Sequence, residues 1–136
     1  MGINGGTIRA CSSSAMVTTG GYNDSKGGGI VGANSGTILA CYATGSVNAG
    51  DGMEGAIAGW HVNDYGGTIT ACYWSGTAEK GVGSGTDNTM EVGDGNWSTA
   101  MNAMNTALID AGSTYGWITN GGDDKATHPL VIITTE

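Results

Sequence analysis

The apolar residues of this chain come in short bursts that repeat. The hexad "GTIRAC" starts at Gly6, "GTILAC" at Gly36 and "GTITAC" at Gly67, so Cys11, Cys41 and Cys72 stand 30 and 31 residues apart. A fixed period of that size marks stacked repeats. Thr7, Thr37 and Thr68 keep the same register upstream, as do Ile8, Ile38 and Ile69; Val17, Val47 and Ala78 keep it downstream. A second apolar signal, "GGIVGAN" from Gly28 and "GAIAGWH" from Gly55, lies between the hexads. Each period thus carries two short pieces rich in Ile, Val, Thr and Tyr and bounded by Gly, Asn and Asp, a strand-and-turn pattern rather than a helical one.

Such a unit cannot bury its apolar face alone, whereas copies stacked about 4.8 Å apart extend one another's sheets. The pattern therefore predicts a mainly β fold, a short β-solenoid of about three coils built from ~30-residue repeats, over residues 1–86. Ile8, Ile38, Ile69, Cys11, Cys41 and Cys72 are its expected core ladder. Side chains alternate along a strand, so Ser13, Ala43 and Trp74 face inward. The intervening Tyr42, Thr44, Ser46, Tyr73, Ser75 and Thr77, with Ser12 and Ser14 in the first copy, form an expected exposed face of hydroxyls. Ile8 and Cys11 differ in parity, so a corner must fall between them if both point inward.

Residues 87–136 are expected to form a connector, a helix and a strand cap packed on the same domain, with the connector beginning at Gly81. In "NWSTAMNAMNTALIDAG", Trp97, Met101, Met104 and Leu108 recur at helical spacing, Asn105 and Thr106 fall on the polar side, and Gly112 stops the helix. "STYGWITNGG" and "HPLVIITT" read as two strands around "NGGDDK". Because an open solenoid end exposes backbone donors and acceptors, helix and strands are expected to cover the carboxyl-terminal end.

The stretch "GGIVGANSGTILACYATGSV" resembles the GLUG motif found in bacterial surface and secreted proteins, including adhesin-like proteins of gut Bacteroidetes and some IgA-specific peptidases. The likeness spans roughly residues 4 to 80. It implies a structural or adhesive module at the cell surface or outside the cell, and it carries over no catalytic residue.

Composition narrows this further. Lys plus Arg number 4 against 12 Asp plus Glu, a net charge of -8 that repels phosphate backbones and anionic membrane surfaces, so nucleic acid is not an expected partner, and with no run of about 18 apolar residues no direct membrane insertion is expected. Three cysteines at equivalent positions, with no Cys-x-x-Cys pair, read as an internal ladder of small apolar thiols rather than a disulfide or metal framework. His61 and His128 have neither metal-ligand spacing nor a nucleophile motif beside them. "GGGIVG" and "GDGMEG" satisfy Gly-x-Gly-x-x-Gly but open no helix, which phosphate binding requires. Asp87, which ends the Gly-rich "GVGSGTD", and the turn residues Asp51, Asp94, Asp123 and Asp124 are read as solvated carboxylates rather than Ca²⁺ ligands. No cofactor, metal or enzymatic activity is expected. The expected partner is a glycan or a host or bacterial surface protein on the hydroxyl face, the alternative being self-association through the solenoid ends into a filament or stalk; a non-catalytic piece of a secreted peptidase stands third.

Overall fold

The computed structural model describes residues 1–93 and 97–118, together with the backbone of Leu130–Ile133. Short strands dominate. The first copy of the repeat supplies β1 (Ile3–Asn4), β2 (Thr7–Arg9), β3 (Ser12–Ser13) and β4 (Val17–Thr18). The second supplies β5 (Lys26–Gly28), β6 (Val31–Asn34), β7 (Thr37–Leu39), β8 (Tyr42–Ala43) and β9 (Val47–Asn48). The third supplies β10 (Met53–Gly55), β11 (Ala58–His61), a 3-10 turn at Asn63–Tyr65, β12 (Thr68–Thr70) and β13 (Tyr73–Trp74). Then follow β14 (Val82–Ser84), β15 (Met90–Glu91), the helix α1 (Trp97–Asp110), β16 (Tyr115–Ile118) and β17 (Leu130–Ile133).

Among the described residues the protein is mainly β with one α-helix, and its repeat strands pair in parallel with their equivalents in the neighbouring copy. The ladders run β1-β6-β11-β14, β2-β7-β12, β3-β8-β13-β15, β5-β10 and β4-β9. Ile38 pairs with both Ile8 and Ile69, and Tyr42 with both Ser12 and Tyr73, so the register follows the cysteine period. Two pieces per period was too few: turns divide each copy into four or five strands.

Glycine at the head of the second and third hexads is a packing requirement, whereas a Cβ on Gly6 would come no closer than 3.9 Å to another atom. A Cβ on Gly36 would overlap the Gly6 carbonyl, and one on Gly67 would stand 3.0 Å from the Ser35 carbonyl oxygen. The corner required by parity lies at Ala10, Ala40 and Ala71, the residues before each cysteine, whose φ angles are 52°, 54° and 50°. Left-handed backbone costs an L-residue roughly 1–2 kcal/mol. The alanine methyls offset part of that by packing: Ala10 and Ala40 are buried in an apolar cluster beneath α1, and Ala71 packs against it.

Two apolar clusters fill the molecule. One lies between the ladders and contains Ile30, Val31, Ile38, Cys41, Ile57, Ile69, Cys72, Trp74 and Val82. The other joins Leu39, Ala40 and Tyr42 to Trp97, Ala100, Met104, Leu108 and Trp117. The second cluster takes Ala10 from the first copy, Ala71 and Tyr73 from the third and Val92 from beyond it, so α1 lies along the flank of the stacked strands rather than across their carboxyl-terminal end. Alternation explains the difference from expectation: outward residues here include Leu39, Tyr42 and Tyr73, an apolar strip that needs a cover. Gly112 closes α1 at φ 68°, with Gly112 N–H donating to Ile109 and Ser113 N–H to Leu108, both at 2.9 Å. Asn105 is not a free polar position: its side-chain amide donates to the Trp117 carbonyl at 2.8 Å and accepts from the Trp117 N–H at 2.7 Å, tying α1 to β16.

Beyond the third copy, the expected connector contains β14 and β15, which extend the ladders of β11 and β13. Asp87 organises this stretch. Its carboxylate accepts the Gly81 and Val82 N–H groups at 3.1 Å and the Thr89 N–H at 2.9 Å, so its oxygens are occupied by the chain's own donors. β16 and β17 pair antiparallel as expected; the "NGGDDK" turn, Asp94, Asp123, Asp124, His128 and Pro129 lie outside the described residues.

Candidate interaction surface

The core-ladder residues divide by position in the stack. Ile38, Ile69, Cys41 and Cys72 are buried, Ile8 is half-buried, and Cys11 is exposed because β3 has a partner on one side only. All three thiols are free. Cys41 is pushed up to about 12, the net of a hydrogen bond with Cys11 that lowers it and a hydrogen bond with Cys72 and burial that raise it. The hydrogen bond with Cys41, then burial, raises Cys11. Cys72 is lowered by its hydrogen bond with Cys41. A raised thiol is a poor nucleophile, the opposite of a reactive cysteine.

The expected hydroxyl face is interrupted. Tyr42 is only 7% exposed, with its ring centroid 5.0 Å from those of Trp97 and of Trp117, and Tyr73 packs against the same cluster. The expectation of an exposed Tyr42 is thus corrected: outward from the inner core here means inward toward α1. Burial raises both phenols. Tyr73, Thr44, Ser46 and Ser75 are half-buried, and Thr77, Ser12 and Ser14 are exposed, so what remains is a fringe of hydroxyls without Tyr42. Composition alone hid this, because Tyr reads equally as polar surface and as buried aromatic. The signal that separates them is Leu39 on the same strip.

A different surface is built at the other limit of the ladders. Among the described residues, β1, β2, β3 and β4 each pair on one side only, leaving their outer edges without a strand partner. Successive amides define which way these edges point. Tyr42, Tyr73 and Met90 N–H donate to the Cys11, Cys41 and Cys72 carbonyls, and Thr44, Ser75 and Val92 N–H to the Ser13, Ala43 and Trp74 carbonyls, at 2.7 to 3.1 Å. By the same geometry the amides of Ser12 and Ser14 point outward from the edge. Beside them opens a cavity of about 550 Å³ whose walls include Ile8, Ile30, Cys11, Ser13, Arg9 and Met1. A neighbouring hollow of about 360 Å³ is lined by Val17, Thr19, Lys26 and Gly29. Thr19 Oγ1 is buried there with no hydrogen-bond partner among the described residues. Ile3 is 76% exposed and Met16 78% exposed on the same copy. An edge of this kind is a template for strand addition.

Buried polar groups continue the stacking logic. Asn4 donates to Asn34 Oδ1 at 2.8 Å, and Asn34 donates both to the Gly36 carbonyl at 2.9 Å and to His61 Nδ1 at 3.2 Å. With the Asn34 amide so oriented, His61 Nδ1 is the acceptor, which places the ring proton on Nε2. His61 is therefore the third rung of an asparagine ladder. The two Gly-x-Gly-x-x-Gly stretches run through β5 and β10, which pair with each other. Among the described residues no group of three His, Cys, Asp or Glu is placed to hold a metal ion, and no helix is long and apolar enough to cross a membrane. No family model, curated protein or solved structure matches this chain.

Proposed function

We propose that this chain is a non-enzymatic structural module of a bacterial cell-surface or secreted protein: a short β-solenoid of about three coils of ~30 residues that attaches to other polypeptide by strand addition. The parallel, in-register ladders and the likeness of "GGIVGANSGTILACYATGSV" to the GLUG motif support the solenoid and its setting. The attachment rests on one observation, the edge of β1–β4, unpartnered among the described residues, beside a cavity of about 550 Å³ walled in part by Ile8 and Ile30. An incoming extended segment gains main-chain hydrogen bonds from Ser12 and Ser14 and buries small apolar side chains against Ile8 and Ile30. The repeat's own sequence is the natural probe, since within the chain β8 already occupies the corresponding place on the far side of β3.

A labelled peptide covering Gly36–Val47 is expected to bind in fluorescence anisotropy, and a scrambled peptide is not. Ser14→Pro removes the outward amide while leaving the inward bonds of this copy in place, and is expected to abolish the binding. Binding that survives Ser14→Pro, or none at all, overturns strand addition. Glycan-array hits that are retained in Ser14→Pro and lost on replacing Thr44, Ser46, Ser75 and Thr77 by Ala would return the adhesive role to the hydroxyl fringe.

A further inference from the structure

Resting on the strand-addition reading above, we propose that the occupant of the uncovered edge is a second copy of this chain, joined head to tail so that β14 and β15 of one molecule pair in parallel with β1 and β3 of the next. Among the described residues, the ladders β1-β6-β11-β14 and β3-β8-β13-β15 begin and end on the same two sheets. One translation along the stack therefore brings both outer strands into place together. The hydrogen-bonding groups match. β3 offers the Ser12 and Ser14 amides, and continuing the register that sets Met90 beside Tyr73 and Glu91 beside Trp74 leaves the Thr89 and Glu91 carbonyls facing outward at the other end.

Charge selects this joint over its alternatives. Of the chain's four basic residues, Arg9 lines the cavity at the first edge, while Lys26 lines the neighbouring hollow with its ammonium held over the Trp60 ring of the third copy at 5.2 Å. At the last strand Glu91 occupies the row of Ser13, Ala43 and Trp74, an inward row that is otherwise uncharged. In a head-to-tail stack that carboxylate stands over Ser13 of the next copy, at the mouth of the cavity that Arg9 borders. Two like ends would set cation against cation or carboxylate against carboxylate, which disfavours those pairings and leaves the unlike pair. Because the joint uses two different surfaces related by translation, it does not close, and growth is open-ended.

The test is sedimentation velocity on the full chain over a concentration series, at low and high salt. The expected result is a series of species at whole-number multiples of the monomer mass, with weaker association at high salt. Arg9→Glu and Glu91→Arg are each expected to weaken association about tenfold or more, and the double exchange to restore it. Circular dichroism of each variant verifies that the fold is retained, and the restored double variant tests the joint without relying on a loss. A chain that stays monomeric at every concentration overturns the proposal, as does association indifferent to the charge exchange or limited to a closed dimer. If the repeat peptide binds through Ser14 while the chain stays monomeric, the edge serves another polypeptide, and strand addition stands without self-assembly.

Discussion

At the scale of single residues, the alanines before each cysteine carry an unusual double duty. Each turns the chain with positive φ and presents a methyl to the flank, and Ala40 also accepts the Trp117 Nε1–H at 2.9 Å in a buried site. Removing that donor while keeping an aromatic ring, as in Trp117→Phe, leaves a buried carbonyl unpaired and is expected to cost about 1–3 kcal/mol in urea denaturation. An unchanged midpoint would show that the carbonyl finds another donor. The thiols and phenols give a pH dependence whose sign is fixed. Cys41, Tyr42 and Tyr73 hold their protons more tightly folded than unfolded, so their contribution is complete below the ordinary cysteine value of 9.0 and is lost as pH rises toward about 12. Cys72 is shifted the other way and offsets part of this. The urea midpoint is expected to fall between pH 8 and pH 10.5; a flat profile would contradict the burial of these groups. Alkylation at pH 8 is expected to modify Cys11 alone and slowly, with all three cysteines reacting in denaturant, as mass spectrometry would read directly.

At the scale of elements, the parts legible in the sequence were those fixed by period and parity. The cysteine spacing set the register, the parity mismatch between Ile8 and Cys11 placed a corner, and the spacing of Trp97, Met104 and Leu108 placed the helix. What periodicity does not encode is the destination of an amphipathic element. α1 could meet any apolar strip, and the strip formed by Leu39, Tyr42 and Tyr73 is visible only once the corner is known to turn those side chains to the flank. β14 and β15 escaped notice because the Asp87 turn shortens the last copy and breaks the cysteine period. The polar ladder supplies a test at this scale. Asn34→Ala strips partners from Asn4 and His61 at a fully buried site and is expected to cost roughly 2–4 kcal/mol. His61→Asn, which makes the third rung match the first two, is expected to stay within about 1 kcal/mol of the parent. A severe loss in His61→Asn would mean the imidazole has a role beyond the ladder.

At the scale of the whole molecule, the flank cluster makes the stack and the helix one cooperative body. Met104 is fully buried between them. Met104→Ala is expected to cost about 2–5 kcal/mol while preserving a single transition, with tryptophan fluorescence and far-ultraviolet circular dichroism coinciding. Two separated transitions would indicate that strands and helix unfold independently. The same geometry sets a length. A helix of 14 residues reaches about 21 Å at 1.5 Å per residue, whereas the three gaps between four parallel strands about 4.8 Å apart span roughly 14 Å. α1 therefore has reach to spare: laid along the stack it spans one further rung of about 4.8 Å, and only a second would outgrow the splint and leave an extra Ala–Cys–Tyr corner bare, so helix length sets an upper bound on repeat number.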